Sequence, residues 1–188
     1  MEIHQNIHEL ENYWHPITIG SKVLKKLVYE QLYSYFTVNK ILHPKLHGYR
    51  SNRSTQTALL QMYDRWVQAA SKGQVSGAVL LDLSAAFDLV PADTLLRKLE
   101  VYGLDSDLLA WIKSYMSDRY QTVWIDHVMS DFLHCDVGVP QGSNLGPLFF
   151  MSYVNDIPSV LSCAMDQYAD DSTLHATGKT INVINDAL

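Results

Sequence analysis

The chain has 188 residues, 47% of them hydrophobic, which suffices for one cored domain and little more. No run of 18 or more apolar residues occurs, and the start "MEIHQNIHELENYW" lacks the basic-then-apolar pattern of a signal peptide, so neither a membrane partner nor a secretory leader is expected. The net charge of −6 argues against a nucleic-acid partner until its distribution is read: residues 15–75 carry nine Lys or Arg against two Asp or Glu, and the remainder five against eighteen. That asymmetry fits either two ordinary solvated faces or a phosphate-binding half beside a cation-binding half. Cys135 and Cys163 have no metal-type spacing and read as reduced core residues of an intracellular protein, cytoplasmic or nuclear.

Residues 21–36 place Val23, Leu24, Leu27, Val28, Leu32, Tyr35 and Phe36 at helical spacing, with Lys22, Lys25 and Lys26 off the stripe. "ILHPKLHGYRSNRS" contains Pro44 and Gly48 and reads as loop. A second helix is expected over 54–71, capped by Ser54 or Thr55, with Leu59, Met62, Tyr63, Trp66 and Val67 on one side. "GAVLLDL", residues 77–83, fits a buried strand that ends in an acid. Pro91 opens a helix that Gly103 is placed to end, and another follows over 105–117 with Leu108, Leu109 and Ile112 inward. Residues 120–127 and 132–139 alternate as half-buried strands do. "GVPQGSNLG" leads into a helix to about Asp156, and 160–167 and 172–177 flank Asp170 and Asp171 like the arms of a hairpin. Two helices followed by mixed strands and helices predict an α+β domain, with helices on one face of a mainly antiparallel sheet.

Three features carry possible chemistry. Asp82 ends an apolar strand; alone it is a turn or cap residue. Glycines 138, 142 and 146 let backbone approach a ligand, and Gln141 offers a donor and an acceptor; alone this is a strand-to-helix connection. Asp170 and Asp171 sit in a tight turn; alone they are solvated. Together, three carboxylates at strand ends and a hairpin turn can meet at one sheet edge. Their repulsion is relieved by hard divalent cations, which prefer oxygen ligands. His4 and His8 lack a third zinc ligand, and neither a P-loop nor a Gly-x-Ser-x-Gly elbow occurs. Two-metal phosphoryl transfer is the chemistry these residues suit best.

"LLDLSAAFD", "GVPQGSNLGPLFF" and "YADD", in that order, resemble the reverse transcriptase domain of non-LTR (LINE-like) retrotransposons. "ILHPKLHGYRSNRSTQTAL" and "HPITIGSKVLKKLVYEQL" are similar to the segments upstream of the first aspartate motif in that family. The resemblance implies a fingers/palm fold, with residues 1–76 fingers-like and 77–188 a ferredoxin-like palm. It implies RNA-directed DNA polymerase activity on an RNA template, a DNA primer and dNTPs. Asp82, Asp170 and Asp171 would hold two Mg²⁺ ions (or Mn²⁺), with the Leu83 carbonyl assisting. The amides of Ser84, Ala85 and Ala86 would face the triphosphate, and Phe87 would stand against the ribose 2′-hydroxyl. Gln141 and Gly142 would line the nucleotide pocket. Arg50 would face the nucleotide, Arg53 the template, and Tyr168 would pack beneath the primer terminus.

The chain departs from the family at His15, where Arg is usual before "PI", and at Ala85, where Lys is frequent. It reaches Leu188 without the family's next Lys-bearing motif, primer grip or thumb. These departures raise the alternative of an inactive, truncated element product that binds nucleic acid weakly.

Overall fold

The computed structural model describes residues 19–126, 128–140 and 142–188. The expectations placed on His4, His8, His15 and Gln141 lie outside them. The helix α1 spans Ile19–Val38 and α2 spans Thr55–Ser71. Ser54 caps α2: its hydroxyl accepts from the Thr57 N–H while the Thr57 hydroxyl accepts from the Ser54 N–H, a reciprocal capping box. The strand β1, Val75–Asp82, leads through a turn to α3, Ala92–Val101, and α4, Ser106–Met116. Gly103 takes φ +90 just past α3, and a Cβ there would lie 2.8 Å from the Tyr35 hydroxyl, so both backbone and space demand glycine.

A ribbon of short strands follows: β2 (Arg119–Gln121), β3 (Trp124–Ile125), β4 (Val128–Met129) and β5 (Leu133–Cys135). The central helix α5, Leu145–Val154, is apolar all round and almost wholly buried. It packs against Leu32 and Phe36 of α1, Leu95 and Leu99 of α3, and Ile112 and Met116 of α4 to form the main core. The short α6 (Ile157–Val160) leads to the hairpin of β6 (Ala164–Tyr168) and β7 (Asp171–Gly178), and α7 (Ile181–Asn185) closes the described chain.

The principal sheet is antiparallel in the order β1-β7-β6. The residues of α2 reach one face of it, where Trp66 meets His175 edge-on at 6.4 Å. Gly77 and Gly178 project to the opposite face, where α7 lies so close that a Cβ on Gly77 would be 2.4 Å from Ile184 Cγ2. The loop after α1 bridges the helical core and the sheet. Asn155 receives the His43 N–H and donates to the Ile41 carbonyl, while Leu46 forms a parallel bridge to Gln167.

Several expectations are corrected. Only Leu32 and Phe36 of the α1 stripe are fully buried; Val23, Leu24 and Leu27 are exposed, because the contact with α5 involves the second half of the helix. On α2, Leu59, Tyr63 and Val67 face solvent, and Ala58, Arg65, Trp66 and Ala69 turn inward. Small residues and one arginine let this helix lie close to the sheet, which periodicity alone does not reveal. The strand β1 is not buried: among the described residues it pairs with β7 alone, and Leu80 is 80% exposed. In the ribbon, Arg119 and Thr122 are buried, whereas Val123 and Ile125 are exposed, because two paired strands offer no core to either face. Cys135 and Cys163 are free thiols, but half-buried rather than in the core. Among the described residues no helix is long and apolar enough to cross a membrane.

Candidate functional site

The β6–β7 hairpin turns in two residues. Tyr168 pairs with Asp171, leaving Ala169 and Asp170 as the loop, with Ala169 at φ +56. A positive φ is the geometry that two-residue hairpins require, and it costs a non-glycine residue about 1 kcal/mol. Asp82, the last residue of β1, is the register partner of Asp171, the first of β7. Residues directly opposite in an antiparallel pair share a face, with Cβ atoms about 5 Å apart. Two carboxylates therefore stand side by side at one end of the sheet, and Asp170 stands in the adjoining turn. Asp82 and Asp171 are exposed and Asp170 is half-buried. Among the described residues none of the three pairs with a basic side chain, and no three His, Cys, Asp or Glu side chains converge into a ready metal group. Like charges opposite one another destabilise a sheet, so this edge is arranged at a cost. A cleft of about 460 Å³ opens between α2 and this face, with Ala58, Met62, Leu80, Asp82, Tyr168 and Asp171 in its walls.

Beyond Asp82 the chain folds into consecutive turns. The Ala86 N–H donates to the Leu83 carbonyl at 3.1 Å, the Asp88 N–H donates to the Ala85 carbonyl at 2.9 Å, and Ala85 takes φ +53. The Ala86 N–H is thereby committed, whereas the Leu83 oxygen keeps a second lone pair. Phe87 stacks on Phe150 at 4.5 Å and meets Tyr49 edge-on at 6.0 Å, so its ring is held from two sides. Tyr49 lies near the hairpin turn: burial, reinforced by the charge of Asp170 and by Tyr168, raises its phenol above the ordinary value.

The glycine loop runs beside this turn. The Val139 N–H donates to the Phe87 carbonyl at 2.8 Å and the Gly138 N–H to the Val90 carbonyl at 2.9 Å. A Cβ on Gly138, which takes φ +89, would lie 2.8 Å from the Asp88 carbonyl oxygen. Gly142 takes φ +73 and borders open space. The sequence reading overlooked Arg119, which is 8% exposed and holds this loop: its guanidinium donates to the carbonyls of Met116, Val137 and Gly138. Its only sequence signal is a basic residue between a helix end and a glycine-flanked strand pair.

Arg50 and Arg53 lie in the bridging loop. The Arg50 guanidinium donates to the His43 carbonyl at 2.8 Å and the Leu46 carbonyl at 3.2 Å, which fixes it against its own loop. Arg53 approaches His47 Nδ1 at 3.4 Å. That loop reaches the hairpin turn, because a Cβ on Gly48 would come within 2.5 Å of the Ala169 nitrogen.

The largest feature missed in the sequence is Asp166. It lies on β6, two residues before Tyr168 and so on the same face as Tyr168, Asp171 and Asp82. It is 3% exposed. Lys45 Nζ lies 3.0 Å from its carboxylate, Arg65 Nη1 2.9 Å, His175 Nε2 2.9 Å and His47 Nε2 3.7 Å. Arg65 also abuts His175 Nε2. Burial by itself raises this carboxyl, but hydrogen bonds from His175 and Lys45 and the charges of Arg65 and Lys45 outweigh it and bring it down to about 2. Burial and the charge of Arg53 lower His47 against the pull of Asp166. The available signal was an acid at an inward-alternating position of an apolar strand.

These features define an α+β protein whose antiparallel sheet gathers carboxylates at the ends of adjacent strands, beside a glycine loop. The fold is similar to that of apo telomerase from Candida tropicalis truncated from its C-terminal domain, with a TM-score of 0.56 at 12% identity over 85% of this chain and 34% of that one. The sequence model of the reverse transcriptase (RNA-dependent DNA polymerase) family matches residues 7–186, and the chain belongs to that family. It is 31% identical over 144 residues to the probable RNA-directed DNA polymerase from transposon BS of Drosophila melanogaster, covering 73% of this chain and 15% of that protein. It is 29% identical over 175 residues to the RNA-directed DNA polymerase from mobile element jockey of Drosophila funebris, covering 89% and 19%. These relatives set it within the non-LTR retrotransposon branch of the family. The chain thus spans less than a fifth of the length of either relative.

Proposed function

We propose that this chain is the core of an RNA-directed DNA polymerase, adding dNTPs to a primer 3′-hydroxyl on an RNA template. The observation that carries the reading is the register of Asp82 opposite Asp171, with Asp170 in the adjoining turn. Two oxygen-donor side chains stand opposite each other there and a third follows in the turn, and none is neutralised by a basic side chain among the described residues. That donor set fits Mg²⁺, which binds a few carboxylates and leaves its other positions to water and substrate oxygens; Mn²⁺ takes the same donors. Asp82, Asp170 and Asp171 would hold two ions, with the Leu83 carbonyl assisting. When bound, the pair supplies Lewis acidity at the attacking and departing oxygens of an in-line displacement.

The remaining residues position the substrate. The primer hydroxyl attacks the α-phosphate of the dNTP, and pyrophosphate leaves. Ala85 at positive φ turns successive N–H groups to one side, the arrangement that cradles anions, so the triphosphate would rest on the Ser84 and Ala85 amides, with Ala86 shaping the turn through Leu83. Phe87, braced by Phe150 and Tyr49, would stand against a ribose 2′-hydroxyl and so favour deoxynucleotides. Gln141 and Gly142 would line the nucleotide pocket on the loop that Arg119 anchors. Arg50 would border the nucleotide, Arg53 the template, and Tyr168 the primer end. Residues 1–76 would act as fingers and 77–188 as palm. The template would be gripped mainly through its backbone and shape, which carry little sequence information.

The test is extension of a DNA primer on an RNA template by the purified chain. Mg²⁺-dependent extension that Asp170→Asn abolishes is the expected result. Extension that survives the substitution refutes the reading.

A further inference from the structure

We propose that Asp166 is the positioning residue of the acidic edge: its buried carboxylate fastens the loop at 45–49 and the helix α2 to the hairpin that carries Asp170 and Asp171. This inference rests on the polymerase reading only for its catalytic consequence.

The groups facing Asp166 come from three separate elements. Lys45 and His47 belong to the bridging loop, Arg65 to α2 and His175 to β7. The carboxylate side chain is 1% exposed, those of both histidines 0%, and those of Lys45 and Arg65 under 30%. Such burial makes the ion cluster far less sensitive to salt than a surface pair.

From this point the loop runs along β6 toward the turn. The Gln167 N–H donates to the Lys45 carbonyl at 2.9 Å, and the His47 N–H donates to the Gln167 carbonyl at 2.8 Å. Gly48 then packs on the backbone of Ala169, and Tyr49 lies within reach of both Phe87 and the charge of Asp170. Loop residues 45–49 thus track hairpin residues 167–170, and Asp166 pins the start of that shared path. Without its charge, Lys45 and Arg65 lose their shared acceptor, and the loop is left with only its two backbone bonds to Gln167. The loop can then lift from β6, and the turn loses the backbone on which Ala169 rests. Asp166 lies on the same face as the edge carboxylates but points into the ion cluster, so it acts on the edge through the loop.

The test compares Asp166→Asn with the parent chain by hydrogen exchange and by primer extension. Exchange at residues 45–49 and 167–169 is expected to rise at least tenfold more than exchange in α5. The extension rate constant is expected to fall about tenfold or more, with the dNTP KM changing less than threefold, and Asp166→Glu should restore part of the rate. An equal rise throughout the chain, or no rise at the loop, overturns the proposal. If Asp166→Asn does not fold, Lys45→Met removes the loop's side of the tie, and the same local excess over α5 is required of it. A parent chain without extension activity would refute the polymerase reading, while the exchange pattern would still decide the role of Asp166.

Discussion

One face of a three-stranded sheet holds an edge cluster of acids and a single buried acid that are handled in opposite ways. At its end, Asp82 and Asp171 stand exposed and opposite each other with the half-buried Asp170 beside them, without basic partners among the described residues. One alternation deeper on β6, Asp166 is buried and surrounded by Lys45, Arg65, His47 and His175. The difference follows from solvation. An exposed carboxylate keeps its water and can wait for a ligand. A buried one must be paired within the fold, because an uncompensated charge there costs several kcal/mol. The edge is therefore free to take a ligand at some expense to stability, while the buried Asp166 is committed to partners within the fold.

The contrast is sharpest in activity. Asp170→Asn should lower primer extension by about a thousandfold or more, a loss of roughly 4 kcal/mol of transition-state stabilisation, while leaving the melting temperature nearly unchanged. Asp166→Ala should lower extension far less, about tenfold, and instead cost about 3 kcal/mol in urea denaturation at pH 7, because it removes the shared acceptor of two partly buried cations. Its folded carboxyl titrates near 2, below the ordinary value of 3.8. A depressed carboxyl stabilises the fold fully above its unfolded value, and the benefit fades as the pH falls from about 4 through 2. The parent should therefore lose stability over that window, and Asp166→Ala should lack that component. A variant with the parent's acid profile would show that Asp166 is not the group responsible.

Gly48→Ala tests the link between loop and hairpin. Its new Cβ would meet the Ala169 nitrogen at 2.5 Å, backbone that cannot rotate away. A loss of about 2 kcal/mol is expected, the usual penalty for overpacking. Stability within experimental error of the parent would separate the two segments. The smallest effect is a gain: in EDTA at low salt, Asp82→Asn should stabilise the chain by about 0.5 kcal/mol by removing the repulsion across from Asp171. A loss of stability there would mean that the edge carboxylates attract a partner in the free chain.

Local signals were legible because they act over a few residues. Pro91 and Gly103 bound α3, Ser54 caps α2, and a two-residue turn between apolar arms makes the hairpin. The order of the aspartate and glycine motifs sufficed for the family. What failed on α2 and β1 was the inference about which face is covered, whereas Leu32, Phe36 and Ile112 are buried as their spacing implies. The stripe Leu59, Tyr63 and Val67 reads as inward, yet it is exposed, because Ala58, Arg65 and Ala69 fit the sheet more closely. The apolar run "VLL" in β1 reads as interior, yet it lies on an edge strand. Burial depends on neighbours from other parts of the chain, and hydropathy contains none of them.

The sequence by itself determined the family, through the resemblance of its ordered motifs, and the helix before Asp156, the hairpin and the three edge carboxylates, because those are written in local pattern and turn chemistry. The tertiary structure decided that Asp82 meets Asp171 across a strand pair, that Arg119 holds the glycine loop, and that Asp166 gathers Lys45, His47, Arg65 and His175. Those partners lie far apart along the chain. Electrostatic pairing acts through space, so only the folded register brings them together.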